Sequence, residues 1–196
     1  EEIGEDISSD KTVVSIAAGI TLAYLSSRLK TKKLVRVMPN TPALVQKGMT
    51  VMSLCECFSD RDIDVVREIF MSVGEVLTLP EKYMNAVTAL SGSGPAFFAL
   101  FVEAMIEAGV KLGLSEDNAR TLAVQTAIGT AKLLETGMPP SKLREMVTSP
   151  GGTTAAGLGP LYEWRQPRST VLGLKDIVSA ALTEAKNRAE ELGKNK

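Results

Sequence analysis

The hydrophobic pattern of this 196-residue chain changes period near residue 82, and that change limits the folds open to it. Before it, short apolar runs alternate with helical stretches. Residues 11–18 (KTVVSIAA), 34–38 (LVRVM), 49–57 (MTVMSLCEC) and 75–79 (EVLTL) read as strands, and 20–30 and 60–72 as helices. Strands separated by helices of this length predict crossover units and a mostly parallel sheet. Beyond it the period is helical throughout. Helices are expected over 83–90, 96–112, 115–136, a short stretch ending at Val147, and 170–192. Gly92-Ser93-Gly94-Pro95 and Met138-Pro139-Pro140-Ser141 punctuate them. The expected class is α/β then all-α, with one domain over 1–81 and a helical one over 82–196. The helix at 96–112 begins almost wholly apolar, which suits either a central helix or a core shared between subunits.

The net charge of −1 and the lack of Lys/Arg runs interleaved with aromatics argue against nucleic acid as a partner. No apolar stretch reads as long enough for a membrane span and no signal peptide opens the chain, so a cytoplasmic protein with no membrane partner is expected. The first residues, Glu1-Glu2-Ile3, lack a Met, and the chain reads as a piece of something longer. Cys55 and Cys57 fall two apart in a predicted strand, a spacing that does not readily bond, and are read as reduced thiols. The sequence contains no histidine. That excludes Ser-His-Asp and Cys-His machinery and leaves no metal site expected. A reaction that a bound cofactor performs, such as hydride transfer to a protonated imine, fits this restriction.

Three motifs could carry chemistry. In Ser149-Pro150-Gly151-Gly152-Thr153-Thr154, Pro150 presets one backbone angle and the glycines admit conformations closed to other residues. Thr153 and Thr154 then open a helix, whose N–H groups and dipole can cradle a carboxylate or phosphate. A tight loop with an ordinary threonine cap is the alternative. Met38-Pro39-Asn40-Thr41-Pro42 lies past the end of a predicted parallel strand, where open α/β sheets bind ligands. The Asn40 amide could meet a nicotinamide or hold the loop together. Ala17-Ala18-Gly19, at the end of the strand before, is small enough to let a flat ring approach the backbone. The third motif, residues 91–97 (SGSGPAF), reads as a helix–helix turn; Phe97 stands where a Gly-x-Gly-x-x-Gly fingerprint needs its third glycine, and no such fingerprint or P-loop occurs elsewhere. The acid–base pairs at helical i, i+4 spacing read as solvated faces.

VSIAAG (14–19), RVMPNTPA (36–43), SVGE (72–75), ALSGSGPAF (89–97) and TSPGGTT (148–154) occur in that order. Together they resemble the pyrroline-5-carboxylate reductase family over nearly the whole chain to about Leu158. The resemblance implies a Rossmann-type domain for NADPH (or NADH) and a helical domain that interlocks with its twin into a homodimer, with larger rings built from dimers. It implies reduction of 1-pyrroline-5-carboxylate to proline, the last step of proline biosynthesis. Ser149, Gly151, Gly152, Thr153 and Thr154 match the turn that holds the substrate carboxylate, and Thr154 matches the catalytic residue near the ring nitrogen. Ala17, Ala18, Gly19, Met38, Pro39, Asn40 and Thr41 match segments that line the nicotinamide. Two departures stand out. The family's first strands and their glycine fingerprint should precede Glu1, so the chain as given is expected to bind dinucleotide poorly and to be inactive. The preference for NADPH over NADH also rests on those absent residues. In Gly159–Pro167 the family's Gly-Leu-x-x-Leu-Glu continuation is altered, and Pro160 puts in doubt the helix behind the substrate loop. The rivals are another imine or hydroxyacid reductase of the same plan, for which Lys111, Lys132 and Lys142 lie in no catalytic motif, and a non-catalytic dimerisation module.

Overall fold

A computed structural model describes residues 7–55, 60–165 and 171–194. Two compact units are present, Glu1–Pro95 with Ala181–Lys196, and Ala96–Ala180. The first contains β1 (Val13–Ser15), α1 (Leu22–Arg28), β2 (Leu34–Met38), a 3-10 turn (Thr41–Val45), β3 (Gly48–Leu54), α2 (Asp60–Met71) and β4 (Gly74–Thr78). The strands form one sheet in the order β1-β2-β3-β4. β1 pairs with β2 in parallel (Val14 opposite Val35), as β3 does with β4 (Thr50 opposite Val76). β2 and β3 run antiparallel, with Met38 opposite Val51. Connection length explains the difference: each parallel pair is joined through a helix, whereas β2 reaches β3 through one Pro-containing turn too short for a crossover. The expected mostly parallel sheet is therefore present, with a reversal at its centre.

Side chains alternate across the sheet and divide its core between two faces. On one, Val35, Val37 and Met52 pack against Val66 of α2, supported by Ile63, Phe70 and Val76. On the other, Met38 and Val51 meet Met84 and Val87 of α3 (Met84–Val87). All five residues of β2 are buried. Each fully buried aliphatic chain contributes about 1.5–3 kcal/mol, which makes this strand the anchor of the unit.

The expected break at residues 92–95 does not interrupt the helix. A 3-10 turn (Glu81–Tyr83), α3 and a π turn (Thr88–Gly92) lead directly into α4 (Gly94–Lys111). The wide turn closes through Ser93 N–H on Thr88 O at 2.9 Å. Pro95 falls in the first turn of α4, where a missing N–H costs nothing. The resulting run, Glu81–Lys111, is by length and composition long and apolar enough to cross a membrane, which corrects the sequence expectation that no stretch was. The sequence had split it at its glycines.

In the second unit α4 is closed by the turn at Gly113, whose φ of +98° suits glycine. Leu114 N–H donates to Gly109 O (3.1 Å) and Gly113 N–H to Val110 O (2.9 Å), a Schellman closure. Ser115 Oγ accepts from Asn118 N–H (3.3 Å) and starts α5 (Glu116–Glu135) with Glu116 and Asp117 in the first turn, as expected. α4 and α5 approach closely because Gly109 faces Ala119, leaving 3.1 Å between a Cβ built on the glycine and that of the alanine. α6 (Pro140–Met146) and α7 (Thr153–Tyr162) follow. α7 continues past Pro160, contrary to the doubt the sequence raised. Pro160 lies in its last turn, where one bond is lost, and Glu163 N–H closes the end on Gly159 O at 3.0 Å. Gln166 and Pro167 of the altered segment lie outside the described residues. The last helix, α8 (Leu174–Lys194), starts later than expected, because β5 (Trp164–Arg165) and β6 (Val171–Leu172) pair as a short antiparallel ladder before it. Asp176 Oδ2 accepts the Gly173 N–H at 2.9 Å and fixes that start.

Cys55 corrects a second expectation: it is disulfide-bonded rather than a reduced thiol. It lies just past the last residue of β3, so strand geometry does not constrain it. Cys57 lies outside the described residues. Because Met52 is fully buried in the α2 face of the sheet, Met52→Ala is expected to cost about 2–5 kcal/mol, read as a lower midpoint in urea unfolding.

Candidate functional site

The turn before α7 is built from its own sequence. Gly152 N–H donates to Ser149 O at 3.0 Å, and Gly151 has φ +69°. Pro150 and Gly151 thus occupy the positions of a type II turn that favour proline and glycine. Gly152 is the N-cap of α7 and has no side chain with which to cap it; its carbonyl accepts the Ala156 N–H at 3.2 Å. The N–H groups of Thr153, Thr154 and Ala155 have no acceptor within the helix, and α7 has no acidic residue in its first turn. A Cβ on residue 152 would run into Ser149 Oγ, so Gly152 is favoured for space, its φ of −76° being open to any residue. Ser149 and Thr153 are exposed and Thr154 is half-buried. The result is a concentrated set of N–H and hydroxyl donors at the positive end of a helix dipole. None of these six residues has an ionisable side chain. A cavity of about 370 Å³ between α6 and α7, with Arg144 stacked over the Tyr162 ring at 5.7 Å, contains none of them.

The residues read as nicotinamide-facing lie in the first unit. Ala17 to Ile20 form a turn, with Ile20 N–H on Ala17 O at 3.4 Å and Gly19 at φ +76°. Ala17 is exposed and Ala18 half-buried. Gly19 is buried against the end of α8: a Cβ there would stand 2.9 Å from Gly193 N and Leu192 C. Its smallness serves this internal approach.

Met38 is buried in the core, Pro39 and Asn40 are half-buried, and Thr41 is exposed. Asn40 Oδ1 accepts the Met49 N–H at 2.8 Å, while Nδ2 donates to Ser91 O at 3.2 Å and Ser91 Oγ at 3.4 Å. Of the two roles open to Asn40 from sequence, its side chain performs the second. It holds the loop, tying the end of β2 to the start of β3 and to the π turn.

Sequence reasoning missed Ser91 as the partner of Asn40, and it missed an ion pair. Arg36, 3% exposed in the middle of β2, donates from Nη1 to Glu81 Oε1 at 3.1 Å. An arginine inside the apolar run LVRVM was the available signal.

The family description pyrroline-5-carboxylate reductase dimerisation matches residues 81–192. The pyrroline-5-carboxylate reductase of Mycobacterium leprae is 41% identical, over 94% of this chain and 67% of its own length. That of Methanosarcina acetivorans is 42% identical, over 96% of this chain and 68% of its own length. The chain belongs to the pyrroline-5-carboxylate reductase family. It spans about two thirds of the length of these relatives. Among solved structures, a Plasmodium falciparum pyrroline carboxylate reductase with NADP bound matches at TM-score 0.83 and 34% identity, over 94% of this chain and 72% of that one. A pyrroline-5-carboxylate reductase from Coxiella burnetii matches at TM-score 0.85 and 36% identity, over 97% and 69%. The Rossmann-type sheet followed by a helical dimerisation region is thus the architecture of the pyrroline-5-carboxylate reductases.

Removing the Asn40 side chain leaves a β3 N–H and the Ser91 carbonyl without their partner. Asn40→Ala is therefore expected to cost about 1–3 kcal/mol, measured by denaturant unfolding, with faster amide exchange at Met49.

Proposed function

We propose that the protein reduces 1-pyrroline-5-carboxylate to L-proline with NADPH or NADH, as a cytoplasmic homodimer able to assemble further. The observation that carries this reading is the open N-terminus of α7. It offers the N–H groups of Thr153, Thr154 and Ala155, which have no acceptor within the helix, beside the hydroxyls of Ser149, Thr153 and Thr154, on a turn shaped by Gly151 and Gly152, in a chain of this family. A carboxylate there completes the capping that Gly152 leaves undone, at a position that favours negative charge. The half-buried hydroxyl of Thr154 is assigned to the substrate ring nitrogen, where it hydrogen-bonds the imine and assists its protonation.

Ala17, Ala18 and Gly19 with the Met38–Thr41 loop are assigned to the nicotinamide. Ala17 and Ala18 leave a flat ring room to approach, while Asn40 fixes the loop from within. When bound, the nicotinamide supplies the hydride. The residues present suit that end of the cofactor; they include no Gly-x-Gly-x-x-Gly turn for its phosphates. We assign residues 1–81 to the dinucleotide side and 82–196 to substrate binding and dimerisation, a division supported by the family match from residue 81. Exposed apolar side chains on α4 and α5, including Phe98 (74% exposed), Leu100 and Leu122, favour a second copy over a bilayer as their cover. Glu103 and Glu107 interrupt the apolar surface of α4.

Steady-state assays of the complete protein test the site. Gly152→Ala, which drives a methyl group into Ser149 Oγ, is expected to raise KM for 1-pyrroline-5-carboxylate by about tenfold and leave KM for NADPH unchanged. Thr154→Val is expected to lower kcat by about three- to tenfold, the worth of one hydrogen bond. An unchanged substrate KM in the first variant contradicts the carboxylate assignment, and an unchanged kcat in the second contradicts the role of Thr154.

A further inference from the structure

Among the described residues Arg36 is the one charged side chain that is buried. Its Nη1 is paired with Glu81 Oε1, while Nε and Nη2 are covered and find no acceptor among those residues. The same Glu81 oxygen accepts the Leu22 N–H at 2.7 Å. Leu22 is the first residue of α1, capped by Thr21 Oγ1 on Tyr24 N–H at 3.1 Å. One carboxylate oxygen therefore joins the central strand to the start of a helix. A guanidinium with two unsatisfied nitrogens is a poor source of stability, since apolar replacement of buried ion pairs is often neutral or stabilising. Its geometry is better suited to placement. Leu22 follows the Ala17–Ile20 turn by two residues, and Arg36 precedes Met38 by two on β2. Glu81 thus bonds a residue just past the first segment assigned to the nicotinamide and one just before the second.

We infer that Glu81 is a positioning residue, held by Arg36, that fixes the Ala17–Ile20 turn through the Leu22 N–H for nicotinamide binding. This rests on the assignment of that turn to the nicotinamide. The bond to Leu22 is charge-assisted, so neutralising Glu81 weakens it even where the oxygen is kept. Removing both charges with apolar side chains repairs the desolvation of Arg36 but does not restore the anchor.

The test compares Glu81→Gln and the double variant Arg36→Met/Glu81→Leu with the parent, in the complete enzyme. Amide exchange at Leu22 and Ile20 reports the anchor without reference to the cofactor, and separate KM values report each ligand. Exchange is expected to rise about tenfold in both variants. KM for NADPH is expected to rise about fivefold and KM for 1-pyrroline-5-carboxylate to stay within about twofold. The double variant should show these changes at an undiminished melting temperature. Unchanged exchange overturns the anchoring role. Faster exchange with an unchanged NADPH KM overturns the nicotinamide assignment, and the inference with it. Kinetic defects that disappear in the double variant reduce the pair to a structural one.

Discussion

Strand β2 is paired on both edges and buried along its whole length, so every side chain it carries must find a partner on one face or the other. Val35 and Val37 do so in the α2 core, and Met38 does so against α3. Arg36 cannot, and its charge is met by Glu81 at 3.1 Å, the first residue of the helical run that leads into α4. Asn40, just past the end of the strand, adds the link to Ser91 in the same run. The strand thereby fixes the turns on which a nicotinamide is proposed to rest. An apolar substitute at residue 36 would fill the space without directing Glu81 toward Leu22.

The cradle before α7 depends on a different economy. It is local, formed by six consecutive residues whose backbone preferences agree: proline and glycine at the two centres of a turn, and glycine as a helix cap that does not cap. The donors left over are what suit it to an anion. This locality also explains why it was legible from sequence, as was the open choice between an anion site and an ordinary cap, which residue types alone could not settle.

Alternation and β-branching placed the four strands of the larger sheet and the helices between them, and the shortness of the Pro-rich link was visible in the sequence. Its consequence, the reversal between β2 and β3, required the pairing itself. Gly92-Ser93-Gly94-Pro95 looked like a break because glycine and proline punctuate locally; a π turn and the first-turn position of Pro95 let the helix pass through. The Asn40–Ser91 and Arg36–Glu81 contacts join residues 51 and 45 positions apart, beyond any periodic signal. Cys55 followed the strand rule only on the assumption that β3 reached it. The β5–β6 ladder, two residues on each strand, is too short to leave a pattern.

The carboxylate cradle is the central claim, and amide resonances of the labelled protein test it directly. Titration with L-proline should shift the signals of Gly151, Thr153, Thr154 and Ala155, while pyrrolidine, the same ring without the carboxylate, should leave them in place. Shifts of equal size with both compounds, or none at these amides at saturating proline, would contradict it.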